Sequence, residues 1–160
     1  MAHRLTAGAF GLWAGAVGTL ALNASAGWER RLLGREPAYA PPRIVRGLLW
    51  RWARRVPGRR QARWMGQGLR WAYGLTLGGL HGLARPALPA RGVWKGLVLG
   101  AGVLAFETVV MPRVGAVPPL SRWPRKERWM LAAHAALYGL STELAFFLAT
   151  RSARAIRPAP

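Results

Sequence analysis

The chain is 160 residues long and 52% hydrophobic, with 24 Lys+Arg against 5 acidic residues, none of them Asp, for a formal charge of +19. A nucleic-acid binder of this size needs a water-soluble scaffold with polar outer faces; here the charges cluster and leave long uncharged intervals, which sets that class aside. No cysteine is present, so disulfides, thiolate nucleophiles and thiolate metal sites are excluded, and with three His and no Asp a catalytic triad is hard to assemble.

Residues 5–28 carry no charge. That stretch exceeds the roughly 20 residues with which a helix crosses a hydrocarbon core about 30 Å thick, and it is the first expected span. Ala24-Ser25-Ala26 imitates a signal-peptide cleavage site, but the apolar run is longer than a usual signal core. The following Glu29-Arg30-Arg31-Leu32-Leu33-Gly34-Arg35 also resists translocation, so the segment is read as a retained helix.

The next segment, 29–63, is a strongly basic loop. Within it, Ile44, Val45, Leu48, Leu49, Trp52 and Val56 fall on one half of a helical wheel, and Arg46, Arg51 and Arg54 on the other. This predicts an amphipathic helix lying on the membrane surface, with Arg43, Arg46, Trp50, Arg51, Trp52, Arg54 and Arg55 at anionic lipid headgroups and its apolar face at the acyl boundary. Three further spans follow at about 64–84, 92–111 and 129–150, interrupted by Arg70, by Lys95 and Glu107, and by Glu143 respectively. Trp28, Trp64, Trp94 and Trp129 lie near span ends, where an amphipathic ring favours the headgroup level.

The two loops on one side of this layout hold sixteen basic residues: eleven between Arg30 and Arg63, and Arg113, Arg122, Arg125, Lys126 and Arg128. Seven fall on the other side: Arg4, Arg85, Arg91, Lys95, Arg151, Arg154 and Arg157. The excess of positive charge on the cytoplasmic side then puts both termini in the periplasm.

The spans also repeat. Gly11-Leu-Trp-Ala-Gly-Ala in span one matches Gly96-Leu-Val-Leu-Gly-Ala in span three at four of six positions, Tyr73-Gly-Leu-Thr in span two parallels Tyr138-Gly-Leu-Ser in span four, and Pro41-Pro42 and Pro118-Pro119 follow the first and third. This predicts an all-α integral membrane four-helix bundle made of two parallel two-helix repeats, related by an axis along the membrane normal. Small residues recur at helical spacing: Gly11, Gly15 and Gly18 in span one, Gly74, Gly78 and Gly82 in span two, and Gly96 and Gly100 in span three. They mark faces for close helix approach, either within the chain or with another subunit.

At a rise of about 1.5 Å per residue, Arg70, Glu107 and His134 each lie ~8–9 Å below the cytoplasmic face, with Tyr138 one turn beyond His134. An Arg70–Glu107 ion pair beside His134 is expected there. His81 and Glu143, ~26 and ~21 Å from that face, form an outer layer. Such layers are either structural ties or steps in a proton path. His81 and His134 are separated by ~18 Å along the normal, too far to clamp one haem iron, and no metal or cofactor is expected.

The segments Gly11-Leu-Trp-Ala-Gly-Ala-Val-Gly-Thr-Leu-Ala, Ala40-Pro-Pro-Arg, Met111-Pro-Arg-Val-Gly-Ala-Val-Pro-Pro and Ala132-Ala-His-Ala-Ala-Leu-Tyr-Gly resemble the YagU-like bacterial inner-membrane proteins. The resemblance implies a small four-helix protein of the bacterial cytoplasmic membrane. His134 and Tyr138 match the family's His-x-x-x-Tyr-Gly pattern, with no catalytic role attached. The expectation is a non-enzymatic structural or interaction subunit of a membrane assembly, in contact with anionic lipids and with other membrane subunits or its own copies, and not with nucleic acid. The alternative is a small transporter or proton-conducting protein working through the intramembrane Arg, Glu and His.

Overall fold

The first helix does not stop where the uncharged stretch ends. In the computed structural model, which describes the backbone of residues 2–155 and the side chains of residues 6–153, α1 runs from Ala2 to Leu33. Glu29-Arg30-Arg31-Leu32-Leu33 are all good helix formers, and two of them put cations on the carbonyl end of the helix dipole. Gly34 ends the helix at φ +66°, a left-handed geometry that a residue without a Cβ adopts freely. The side chains of Arg4 and Arg154, and Arg157 altogether, lie outside the described residues.

The amphipathic segment forms α2 (Pro41–Ala53), opening on two prolines at positions where no backbone donor is missed. Then come α3 (Arg59–Ala84), a 3-10 turn at Arg85–Ala87, and α4 (Val93–Ala105). From α4 the chain passes without a break through a wider π turn (Phe106–Val110) into the short α5 (Met111–Arg113). Pro112 accounts for the π turn. It has no N–H to give to the carbonyl four residues back, and the Met111 N–H bonds instead to the Phe106 carbonyl, five residues back. A 3-10 turn at Leu120–Arg122 precedes α6 (Arg125–Ala155). No strand occurs among the described residues.

Three helical stretches are long and apolar enough to cross a membrane: Thr6–Leu33, Val93–Arg113 and Arg125–Ala153. The expected second span, α3, falls short on hydropathy because its glycines, Arg70, Tyr73 and His81 dilute the leucines.

Helix α1 packs along both α3 and α6, α6 also along α4, and α2 along α3. Between α1 and α3 the backbones nearly touch. A Cβ added to Gly15 would sit 2.5 Å from the Gly74 carbonyl oxygen, and one added to Gly78 would sit 2.5 Å from that of Gly11, distances no real side chain occupies. Gly82 meets Ala7 and Gly11 in the same way. The α4·α6 contact repeats the pattern, with Gly96 against the Gly139 carbonyl (2.8 Å from a built Cβ) and Gly100 against that of Ala135 (2.7 Å). Gly18 departs from its expected row: it faces Tyr138 and Thr142 on α6, not α3. The glycine ridges are therefore consumed inside the chain and are not left exposed for a second subunit.

Larger side chains fill what remains. Ala14, Ala145 and Phe146 close one end with Phe10 and Val17; Val103, Ala135 and Tyr138 form the middle with Leu22, Tyr73, Leu77 and Leu99; Tyr39, Val117, Trp123 and Leu131 close the other end. The apolar side of α2 belongs to this last cluster. Val45 is buried, Ile44 packs against the cluster, and Gly47 lies against the backbone of Gly115 and Ala116. This corrects part of the expectation that the face rests on acyl chains: at Ile44 and Val45 it rests on protein, while Trp52 and Val56 of the same face, and Trp50 beside them, are left exposed. Trp28, Trp64, Trp94 and Trp129 all turn outward, at 64–74% exposure.

Replacing Gly78 with Ala is expected to lower stability by about 1–3 kcal/mol, because its methyl meets backbone that cannot yield. Gly68→Ala, on the open side of α3 with nothing within 4 Å, should be neutral or stabilising by up to ~1 kcal/mol. Unfolding midpoints in mild detergent compare the two. A Gly78→Ala protein as stable as its parent would contradict the close contact.

Candidate functional site

Only five acids balance the cations of this chain, and three of them, Glu29, Glu127 and Glu143, are buried. Burying a carboxylate is costly unless it is paired and hydrogen-bonded, so each marks a place where the fold has gathered donors around it.

At the end of the molecule where α1 finishes, Glu29 accepts a hydrogen bond from the Tyr39 hydroxyl and lies 3.6 Å from His134 Nδ1 of α6. Tyr39 is stacked on Trp123, with ring centroids 5.4 Å apart, and meets the His134 ring edge-on. One turn into α6, the fully buried Glu127 pairs with Arg35 and accepts the Ala38 backbone N–H at 3.0 Å. Glu127 thus pins the 34–40 connection onto α6, and Glu29 pins it onto α1.

Deeper in, Arg70, Glu107, His134 and Tyr138 line one cavity of about 90 Å³ together with Tyr73 and Thr19. All four residues expected in the inner polar layer sit around it. The expected Arg70–Glu107 ion pair is not formed: Arg70 Nη1 donates to Asn23 Oδ1 at 3.0 Å, and no carboxylate oxygen lies within 4 Å of it among the described residues. Among the described residues the buried Tyr73 hydroxyl has no hydrogen-bond partner, and its ring lies against Phe106 at 5.7 Å. A second, wider cavity of about 370 Å³ shares Arg70, Tyr39 and Pro41 with the first and adds Glu29, Arg30 and Glu36.

At the opposite end, His81 and Glu143 meet directly, Nε2 to Oε2 at 2.9 Å. A partner the sequence reading left in a loop completes this outer layer. Arg85 donates from Nε and Nη2 to Glu143, the shortest bond being 2.7 Å, and its guanidinium covers the Phe146 ring at 4.7 Å. Lys95 Nζ donates to the Arg85 carbonyl at 2.6 Å. The end of α3, the start of α4 and the middle of α6 are tied through one carboxylate.

Between the two ends the packing is tight. The Tyr138 hydroxyl donates to the Gly74 carbonyl at 2.6 Å, Thr19 Oγ1 donates to the Gly15 carbonyl at 2.8 Å, and Tyr138, Thr19 and Thr142 are at most 2% exposed. Among the described residues no three His or Glu side chains converge as metal ligands.

Asn23, Glu29, Tyr39, Arg35, Arg85 and Glu127 escaped the sequence reading. The scarcity of acid was the available signal: in so basic a chain each Glu attracts partners, and Glu29 stands at the edge of an uncharged span. No family model, curated protein or solved structure matches the chain.

Glu143→Gln leaves Arg85 and His81 without their acceptor charge and should lower stability by about 1–3 kcal/mol, the lower part of the usual range because Arg85 is partly exposed. Glu107→Gln, which breaks no direct ion pair, should cost less than ~1 kcal/mol. Thermal unfolding of both variants in one detergent reads the difference. Equal losses would show that the 143 cluster carries no special weight.

Proposed function

We propose that this chain is a polytopic membrane protein in which α1, α3, α4 with its continuation, and α6 cross the bilayer as a four-helix bundle of two parallel two-helix repeats. Its role is that of a non-catalytic structural or interaction subunit of a membrane assembly. One observation carries the reading: large apolar side chains face outward on all four long helices, while small residues and buried polar groups line the inside. Leu12, Trp13 and Leu20 on α1, Leu80 and Leu83 on α3, Val98 on α4, and Leu144, Phe147 and Leu148 on α6 are all 46% exposed or more. In water each, being about half exposed, would forgo roughly half of the ~1.5–3 kcal/mol that full burial supplies, whereas in hydrocarbon this is the favoured surface.

The duplicated contacts support the repeat. Gly15 with Gly74 and Gly100 with Gly139, which correspond under the sequence repeat, each bring two helix backbones together. The charge asymmetry supports a cytoplasmic 29–63 segment and periplasmic termini, and the resemblance to YagU-like proteins points to the bacterial inner membrane.

The tight layer at Thr19, Tyr138 and Thr142, each at most 2% exposed, favours structural ties over a conduit, since these side chains close the inner end of the Arg70 cavity toward the Glu143 cluster. A second reading, a small proton-conducting or transport protein, draws on the cavity that gathers Arg70, Glu107 and His134.

The protein is expected to stay with membranes through alkaline extraction and to need detergent for release. Reporters inserted near residue 56 should report cytoplasm and near residue 89 periplasm. In liposomes, proton flux should be near zero for the native chain and unchanged by Glu107→Gln. Release by salt alone overturns the membrane reading, and flux abolished by Glu107→Gln overturns the structural one in favour of conduction.

A further inference from the structure

The first two turns of α2 and of α3 face each other across a cavity of about 270 Å³, which adjoins the wider cavity above at Glu36, Pro42 and Arg63. Four arginines line it, Arg43 and Arg46 from α2 and Arg59 and Arg63 from α3, against one carboxylate, Glu36. Their spacing is regular: three residues apart on one helix and four on the other, so each pair stands on one helix face. The two helices are held rigidly at this point. Gly66 of α3 packs on the backbone of Pro41 and Pro42, with a built Cβ 2.8 Å away, and Ala62 and Val45 are buried in the same seam.

Guanidinium groups converging this way repel one another unless something negative lies between them. Among the described residues none of the four makes an ion pair, and Arg46 Nε is buried with no acceptor. A buried N–H without a partner is costly, and a planar fork of donors is matched best by the oxygens of a phosphate. Sharing Arg59 and Arg63, an open cleft of about 610 Å³ continues along Arg60, Trp64 and Gln67, where more of the lining is apolar and Trp64 is 71% exposed. An arginine cradle beside an outward tryptophan matches the level of a bilayer at which a phosphodiester passes into glycerol and acyl chain.

We propose that this cavity is a specific binding site for the phosphate of one anionic phospholipid, seated between α2 and α3 with its apolar part over Trp64. The site rests on the membrane reading above. It differs from general attraction of a basic loop to a charged surface, because it singles out four of the arginines and one lipid molecule.

The test uses the full chain in detergent, titrated with phosphatidylglycerol and followed by native mass spectrometry and thermal unfolding. The native chain should retain one phosphatidylglycerol at least tenfold more tightly than phosphatidylcholine. Arg46→Gln with Arg63→Gln should abolish that preference while unfolding, without lipid, at or above the native temperature, since it removes repulsion. Arg51→Gln with Arg55→Gln removes the same charge outside the cavity and should bind within twofold of the native chain. Arg46→Lys with Arg63→Lys keeps the charge and the fold and should bind at an intermediate level.

Equal loss in the two Gln pairs would overturn the site in favour of diffuse attraction, as would binding unchanged in all variants. Stabilisation by inorganic phosphate, with none by phosphatidylglycerol, would overturn the lipid assignment. A chain that stays in membranes yet shows no lipid preference overturns this inference alone, whereas one soluble without detergent overturns the membrane reading beneath it.

Discussion

Glycine backbones at the α1·α3 crossing come so close that a single methyl group has no room between them. Everything else about the arrangement is arranged around that contact and its counterpart between α4 and α6. In a hydrocarbon surrounding, water exclusion does not drive helices together, so close dispersion contact and weak Cα–H···O bonds between bare backbones must supply much of the attraction. Bringing α1 against α3 at Gly15 and Gly74 also sets the reach of neighbouring groups. It lets Tyr138 of α6 place its hydroxyl on the Gly74 carbonyl and Arg70 of α3 reach Asn23 of α1.

Buried glutamates fasten what the glycines bring together. Glu127 holds the 34–40 connection to α6 through Arg35 and Ala38, Glu29 holds it to α1 through Tyr39, and Glu143 holds the end of α3 to the middle of α6 through His81 and Arg85. Because so few acids are present, most cations have no carboxylate within the chain to pair with. Apart from Arg35, which is tied to Glu127, the cations of the 29–63 segment make no ion pair among the described residues, and they stand near the outward tryptophans Trp28 and Trp64.

The long helices were legible because each coincides with a stretch poor in charge and bounded by Pro or Gly, and α2 because its apolar residues recur at helical spacing. Periodicity tells which side of α2 is apolar and not what covers it. The covering here comes from Ala116, Val117 and Trp123, some seventy residues later in the chain, and no local pattern announces that. The depth of Arg70, Glu107 and His134 along their helices was readable by counting residues, and the structure sets them around one cavity. Depth says nothing of rotation about each axis, and so the direct Arg70–Glu107 pair was expected where Asn23 takes the bond. Arg85 was lost for a related reason: Pro86 marks it as leaving the helix, yet its side chain folds back to Glu143. Glu29 with Tyr39 depends on the path of an irregular connection, which residue order alone does not give.

The central claim is that the outward leucines and aromatics of the long helices lie in hydrocarbon. The native absence of cysteine allows single nitroxide labels to be placed by Leu20→Cys, Leu80→Cys, Val98→Cys and Leu144→Cys, all on exposed positions, with Trp52→Cys as the surface reference. In reconstituted bilayers the first four labels should collide with dissolved oxygen and be shielded from a water-soluble nickel chelate, and the label at 52 should show the reverse. Ready access of the chelate to positions 20, 80, 98 and 144 would contradict the account.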